Sequence, residues 1–598
     1  MVYLKRSSSK TEHKKVYIRK IQLILKVLIT AILIFSFEQC AKISAPVGGK
    51  RDVTPPVLEK SLPPNYCVNF NEKKIEIEFD EYIQLKNINQ KLIVSPPLQK
   101  KPIIRIKGKG LVIDIKEKLQ DSTTYSFNFG DAIADNNEGN VLNNFQFVFS
   151  TGPMLDSLTI HGQVKYAFNL QTPEEAFVLM YDDLSDSAIF KNKPLYITKI
   201  NKKGFFHLNN LKADTFRLYA LEDGNSNYQY DPPEPVAFVS GTLQTKPETN
   251  APIRINDSLV SADSLPGGSL LYMFIENASK QYLKNASRTR KENLLFEFNM
   301  PPEGNVGIKF LKDTTLVHPY IEEQHQHKDS LELWLTDTAL INREVLSVVL
   351  EYLMNDDEIK KDTIKIRFSK AKKKLKKGRT QKATEQAFLK LNLNAKNRKP
   401  FDINAPLYIK SPTPIEKTDS SKWHLYSIKD SLETEESLDW GKKEKQLKKI
   451  ILPYTWIPDT KYSMVLYPGA ITDIYNLTND TLNLTFTTRK EEYYGRIILE
   501  LNQITELIQI QLLDSKEKVI RQIQVQSDTT LLFDFLPPGE FLIKSFLDEN
   551  KNGKWDTGSI LKKIQPEKVI YYGEKIKVRS NWDFKKTWSP KFYTEDNK

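Results

Sequence analysis

Two loops hold the residues best suited to chemistry. In the stretch DENKNGKWD, Asp548, Asn550, Asn552, Gly553, Lys554 and Asp556 stand at positions 1, 3, 5, 6, 7 and 9 of a calcium-loop pattern. Alternate spacing lets a curling backbone turn one oxygen after another inward, and glycine at position 6 permits the sharp bend. Position 12 is Ser559 and not the bidentate glutamate. An earlier stretch has the opposite defect. Asp223, Asn225, Asn227, Gln229 and Asp231 fall at positions 1, 3, 5, 7 and 9, with Glu234 at position 12, but position 6 is Tyr228. Both loops are read as candidate calcium sites, calcium being the one cofactor the sequence suggests. Hairpin turns are the alternative, since they favour Asp, Asn and Gly for backbone reasons of their own.

Other chemistry is sparse. His318, His325 and His327 lie close together without cysteine or a clear acidic partner, which fits a surface loop better than zinc. The sequence contains no Gly-rich phosphate loop, GxSxG elbow or HExxH, so the chain is read as non-enzymatic. One short pattern recurs, Asp followed by a hydroxyl residue and an aliphatic one, at Ser157, Ser187, Ser258, Ser264, Ser330, Thr363, Ser431 and Thr481. It resembles the O-glycosylation acceptor pattern of Bacteroidota envelope proteins. The same residues would also serve a turn that ends as a strand begins.

The elements that position these loops are strands. Asp121–Thr151 and Asp459–Thr488 repeat one another: Tyr125-Ser126 matches Tyr462-Ser463, Asp135 matches Asp473, and Phe149 with Thr151 matches Phe486 with Thr488. Each copy has an alternating apolar run, a polar loop and a second alternating run, the mark of half-buried strands. A second repeat, Leu211–Asp223 against Leu536–Asp548, leads into the two Asn/Asp loops with identical spacing. Internal repeats at such distances describe an array of β-modules.

Pro55-Pro56, Ile75–Phe79 with Asp80-Glu81, Tyr125-Ser126 and Phe147-x-Phe149-Ser-Thr151 resemble the SbsA-type bacterial Ig-like domain. The Cys40–Pro56 segment resembles the start of Bacteroidota envelope lipoproteins, and the Leu211–Asp223 repeat looks like a transthyretin or carboxypeptidase-regulatory sandwich. The resemblance implies a sandwich fold and an envelope location, without an activity. The expected fold class is all-β, a tandem array of Ig-like and transthyretin-like sandwiches behind an N-terminal signal or anchor helix. The expected divisions are 1–39 signal or anchor, 40–52 tether, 53–152 Ig-like, 155–260 transthyretin-like, 268–369 divergent Ig-like, 370–384 basic linker, 385–488 Ig-like, 490–580 transthyretin-like and 581–598 tail.

Val27–Phe37 is an apolar run of signal-peptide length behind a basic start, and Cys40 follows where a lipoprotein would be lipidated. Phe37-Glu38-Gln39 departs from the small residues usual before such a cysteine, and an uncleaved anchor is the alternative. Either form is exported and membrane-tethered, in the outer membrane on the lipoprotein reading. The formal charge of +12 is concentrated in the N-terminal segment and the internal basic linker: residues 1–39 carry +6 and Lys370–Lys382 carries +8, leaving −2 elsewhere. Nucleic-acid binding thus lacks electrostatic support. The expected function is a non-catalytic envelope lipoprotein acting as a structural or binding scaffold for an envelope protein or polysaccharide. The alternative is an accessory protein that binds polysaccharide or peptide polymer for an envelope enzyme system.

Overall fold

This computed structural model describes residues 52–245, 268–278, 280–311, 319–324, 328–355, 358–368, 388–437, 444–452 and 454–592. The signal or anchor segment, Cys40, the basic linker, Ser258, Ser264, His318, His325 and His327 lie outside them. Strands form 48% of the structure and helices 4%, so the all-β expectation is met. The described residues build five two-sheet sandwiches.

In the first, Leu58–Leu62, Lys74–Phe79, Gly110–Asp114 and Ile103–Lys107 form one sheet in that order. Gln146–Ser150, Thr124–Asn128 and Ile93–Ser95 form the facing one. Strand Lys74–Phe79 shows the cause: Ile75, Ile77 and Phe79 are buried, while Lys74, Glu76 and Glu78 turn away from the core. Phe127, Phe147 and Phe149 are fully buried between the sheets, each such side chain stabilising the fold by about 1.5–3 kcal/mol. The fourth sandwich repeats this plan, with Leu482–Thr488, Lys461–Leu466 and Trp423–Lys429 as neighbouring strands over a core that includes Tyr462, Met464 and Phe486.

The residues repeated between these two sandwiches are structural. The Tyr125 hydroxyl accepts the Gln120 N–H at 3.0 Å, and Tyr462 accepts the Ile457 N–H at 3.2 Å, each pinning a corner five residues upstream. Thr151 Oγ1 donates to the Gln120 carbonyl at 2.7 Å, as Thr488 Oγ1 does to Ile457 at 2.6 Å. Asp135 and Asp473 are fully buried and close their loops by accepting backbone N–H groups. Burial works against the charge on Asp135, but the N–H groups of Gly139, Glu138 and Asn140 outweigh it and hold the carboxyl below its ordinary value.

The second and fifth sandwiches share another topology. In the second, Leu158–Tyr166 lies between antiparallel Phe205–Leu211 and parallel Ser269–Met273; the other sheet runs Tyr196–Lys199, Phe177–Tyr181, Thr215–Leu221, Val236–Phe238. In the fifth, Gly495–Leu501 lies between antiparallel Thr529–Leu536 and parallel Asp583–Trp588; the other sheet runs Val519–Val525, Ile508–Leu513, Gly539–Leu547, Val569–Tyr571. Two expected boundaries move as a result. Ser269–Met273 belongs to the second sandwich and not to a domain starting at 268, because Leu271 and Met273 fill the second core. Residues 583–588 are a strand and not tail, because Trp588 closes the fifth core.

The third sandwich pairs Leu283–Arg290, Asn293–Phe298, Ser330–Leu335 and Tyr320–Gln324 against Gly307–Phe310, Val345–Asn355 and Glu358–Arg367. It meets the fourth through Lys448, whose ammonium reaches Glu323 at 2.8 Å and Glu332 at 2.7 Å beneath the Trp334 ring. The Tyr475 hydroxyl adds a bond to the Leu335 carbonyl at 2.9 Å. Between the fourth and fifth, the Tyr494 hydroxyl donates to Asp402 at 2.9 Å.

Candidate functional site

The two Asn/Asp loops trace the same path. Asp223 Oδ2 accepts the Tyr228 N–H at 2.8 Å, and Asp548 Oδ2 accepts the Gly553 N–H at 2.9 Å. Asn225 and Asn227 both reach Asp231 Oδ2 at 2.8 Å, as Asn550 and Asn552 reach Asp556 Oδ2 at 2.6 Å. The backbone N–H groups of Gln229 and Lys554 close on Asn227 Oδ1 and Asn552 Oδ1, each at 2.7 Å. Position 6 is left-handed in both, φ +60° at Tyr228 and +74° at Gly553. Tyrosine holds that conformation under strain of roughly 1 kcal/mol or more. Its ring packs edge-on to Phe177, and its carbonyl accepts the Tyr181 hydroxyl at 3.3 Å.

Position 12 is also filled in both copies, once by a residue the spacing missed. Glu234 accepts the Gly224 N–H at 2.8 Å and the Asp231 N–H at 3.1 Å. Glu567 does the same for Glu549 and Asp556, each at 3.0 Å. Glu234 comes three residues after Asp231, whereas Glu567 comes eleven after Asp556. The eight extra residues are an insertion, which aligning the two loops by their final carboxylate would have exposed. Ser559 lies inside that insertion and has no part in the loop. Burial pushes the Glu567 carboxyl up to about 7, with the charges of Asp556 and Asp548 adding to the shift and the two N–H donors opposing it. Among the described residues no three His, Cys, Asp or Glu form a group able to hold a metal ion; the carboxylates of both loops are engaged by N–H donors.

The insertion is a tongue that docks on the second sandwich. Ile560, 6% exposed, enters an apolar cluster with Leu179, Tyr181, Tyr219 and Phe274. Gly558 lies so flat on Phe274 that a Cβ there would sit 2.7 Å from the ring. Thr557 donates to the Ile275 carbonyl at 2.7 Å, Gln565 to the Phe238 carbonyl at 2.8 Å, and Ser559 bonds Glu276. Lys563 pairs with Asp186 at 3.0 Å. Beside the tongue, Phe168 packs edge-on to Trp555 and under the ammonium of Lys544, 3.3 Å from the ring centre. Burial pushes the Lys544 amine down to about 8, against the pull of Glu517. Ile93 of the first sandwich joins the same cluster, so three sandwiches meet on one face of the second. The chain thereby closes a ring from the second sandwich through the third and fourth to the fifth and back.

The hydroxyl residues of the recurring Asp pattern scatter over the surface. Ser157, Thr363, Ser431 and Thr481 are exposed, while Ser187 and Ser330 are half-buried. Asp430 and Ser431 form a tight turn with φ of +51° and +69°. Cys67 is half-buried and lies outside the named strands, bridging to Phe149; burial pushes its thiol up, away from reactivity.

Residues 52–151 match the family described as bacterial Ig-like domain. That segment is the first sandwich, and an Ig-like array fits a non-catalytic structural or binding role. No curated protein matches the chain. Among solved structures, native α2-macroglobulin from Escherichia coli, domains MG0-NIE-MG1, is 12% identical with a TM-score of 0.17, covering 44% of this chain and 93% of that one. The Bacteroides ovatus mixed-linkage glucan utilization locus protein SGBP-B, in complex with a heptasaccharide, is 10% identical with a TM-score of 0.16, covering 71% and 93%. Domains 1–6 of the surface-layer protein SbsC are 9% identical with a TM-score of 0.13, covering 88% and 67%. At such scores these likenesses carry no weight for function.

Proposed function

We propose that this protein is a non-catalytic scaffold of the cell envelope, lipidated at Cys40, that presents a closed ring of sandwiches rather than a flexible string. The observation that supports this reading is the tongue, which locks the fifth sandwich onto the second and so fixes the relative positions of distant surfaces. The SbsA-type and transthyretin-like resemblances of the repeated sandwiches support an exported setting. Labelled palmitate should enter the wild-type protein in its native envelope and be absent from Cys40→Ser. Label retained by the variant, or a wild-type protein recovered free of membranes, would refute anchoring at this residue.

Calcium is part of the proposal because Glu567 supplies the carboxylate that loop spacing alone denied to the second copy. Calcium would have to displace the Asn550 and Asn552 amides, whose Nδ2 groups donate to Asp556, to reach the carboxylates of Asp548, Asp556 and Glu567. Millimolar calcium should then stabilise the full chain by about 0.5–1.5 kcal/mol. Thermal melts with calcium and with chelator measure this, and Glu567→Gln should shrink the difference. Identical melts in both buffers would leave the loops as turns.

A second reading, binding of a polymer, is favoured by one observation: an exposed tryptophan in a cleft of the fifth sandwich.

A further inference from the structure

A cleft of about 300 Å³ opens where the link from the fourth sandwich enters the fifth. Its floor is Tyr494, 6% exposed and edge-on to Phe535. Its wall is Trp582, which is 57% exposed. The other described tryptophans are buried or half-buried, serving cores or the docking junction. The Trp582 ring meets Phe584, stacked at 6.3 Å and 28°, and the Arg579 guanidinium 5.6 Å from its centre. Its backbone is fixed as well, since its carbonyl accepts the Arg496 N–H at 3.0 Å. More than half of Trp582 therefore stays open to solvent on a fixed backbone.

Around it the polar groups come as closed pairs. Arg496 and Asp583 line the cleft together, 2.8 Å apart, and Asp534 lines it with its charge met at 2.8 Å by Arg521, which stands outside the lining. A paired guanidinium and carboxylate set donors and acceptors side by side without net charge, and a hydroxyl, which is both donor and acceptor, bonds to both at once. Glu491 and Glu492, exposed at the mouth, outnumber the Arg579 guanidinium beside Trp582 and disfavour phosphates and acidic chains. An apolar face for C–H groups, flanked by neutral arrays for hydroxyls and closed to anions, matches the amphipathic surface of a sugar ring.

We infer that this cleft is a subsite for a neutral polysaccharide, in which Trp582 is the stacking platform and the Arg496–Asp583 pair, with Asp534, binds ring hydroxyls. The inference rests on the polymer-binding reading and names its ligand class and residues. The test is native affinity electrophoresis of the full chain through gels containing soluble β-glucan, xylan or galactomannan, with oligolysine as a cationic competitor. At least one polysaccharide should retard the wild type, and oligolysine should not relieve the retardation. Trp582→Ala should weaken binding by about 30-fold or more, as loss of a central aromatic anchor does, and Trp582→Phe should restore part of it. Because Trp582 lies outside the core, the melting temperature of both variants should match the wild type. No retardation by any of the three gels would overturn the polymer-binding reading together with the subsite. Equal retardation of wild type and Trp582→Ala would overturn the subsite alone. Retardation abolished by oligolysine would assign the cleft to basic chains and overturn the saccharide.

Discussion

Ile560→Asp should open the ring. The native side chain sits among Tyr181, Tyr219 and Phe274 on the outer face of the second sandwich. An aspartate there would be an unpaired carboxylate with no donor in place of the lost methyl groups. Keeping an uncompensated charge in such a site costs about 3–5 kcal/mol. That exceeds what the few exposed polar contacts of the tongue return, so the tongue leaves its seat and the charge stays hydrated. The five sandwiches keep their own cores, because Ile560 belongs to none of them. Small-angle scattering should therefore show a larger radius of gyration with unchanged far-ultraviolet circular dichroism. Ile560→Val, which removes one methylene at a cost of about 0.5–1.5 kcal/mol, should stay closed. An Ile560→Asp protein with the wild-type scattering profile would mean that the junction is held by Phe168 against Trp555 and Lys544, and by Gln171 on Glu517, without the tongue.

Arg288→Ala should loosen the third sandwich more than any surface change. Arg288 is 2% exposed and faces no carboxylate at ion-pair distance; main-chain carbonyls satisfy its guanidinium. It donates twice to Lys291 at 3.1 and 2.6 Å, once to Arg343 at 2.7 Å, and to Leu340 and Ile341 at 3.2 and 3.0 Å. One side chain thus ties the Leu283–Arg290 strand to the end of the short helix Thr338–Asn342, whose last carbonyls have no partner within the helix. Alanine takes the guanidinium from the Lys291, Ile341 and Arg343 carbonyls, while the Leu340 carbonyl keeps the Arg343 N–H, at a cost of about 1–3 kcal/mol for each buried group that water cannot reach. With partial solvation the expected destabilisation is about 3–5 kcal/mol. Lysine should recover only part, since a compact ammonium cannot span carbonyls that a planar fork reaches together. Hydrogen exchange of the full chain reads this locally: amides of Asn293–Phe298 and Val345–Asn355 should lose protection while the fifth sandwich keeps its own. Unchanged exchange in those strands would show that water replaces the guanidinium fully.

What could be read from the sequence follows from how local each signal is. The strands of the first and fourth sandwiches were visible because period-two burial is written directly into runs such as Lys74–Phe79 and Lys461–Leu466. The repeated Tyr, Thr and Asp were visible as repeats, yet their corner and loop bonds needed coordinates. The closing strands Ser269–Met273 and Asp583–Trp588 were assigned elsewhere, because a parallel partner far along the chain leaves no mark of pairing in its own residues. Glu567 was hidden by the tongue that separates it from Asp556. The cleft at Trp582 was also missed: its residues come from three separate segments, and an exposed tryptophan reads the same as a buried one until the sheets are placed.

The tongue also decides how the molecule answers to tension. A pull between the first and fifth sandwiches runs through the second and across the seat of Ile560, bypassing the third and fourth, which form a parallel branch of the ring. Force is carried there by side-chain contacts and a few hydrogen bonds, with no covalent link across the seat. Those contacts yield before any sheet does, and the two bypassed sandwiches then come into line. The molecule lengthens by their span while every core stays folded, and it shortens again when the tongue returns to its seat.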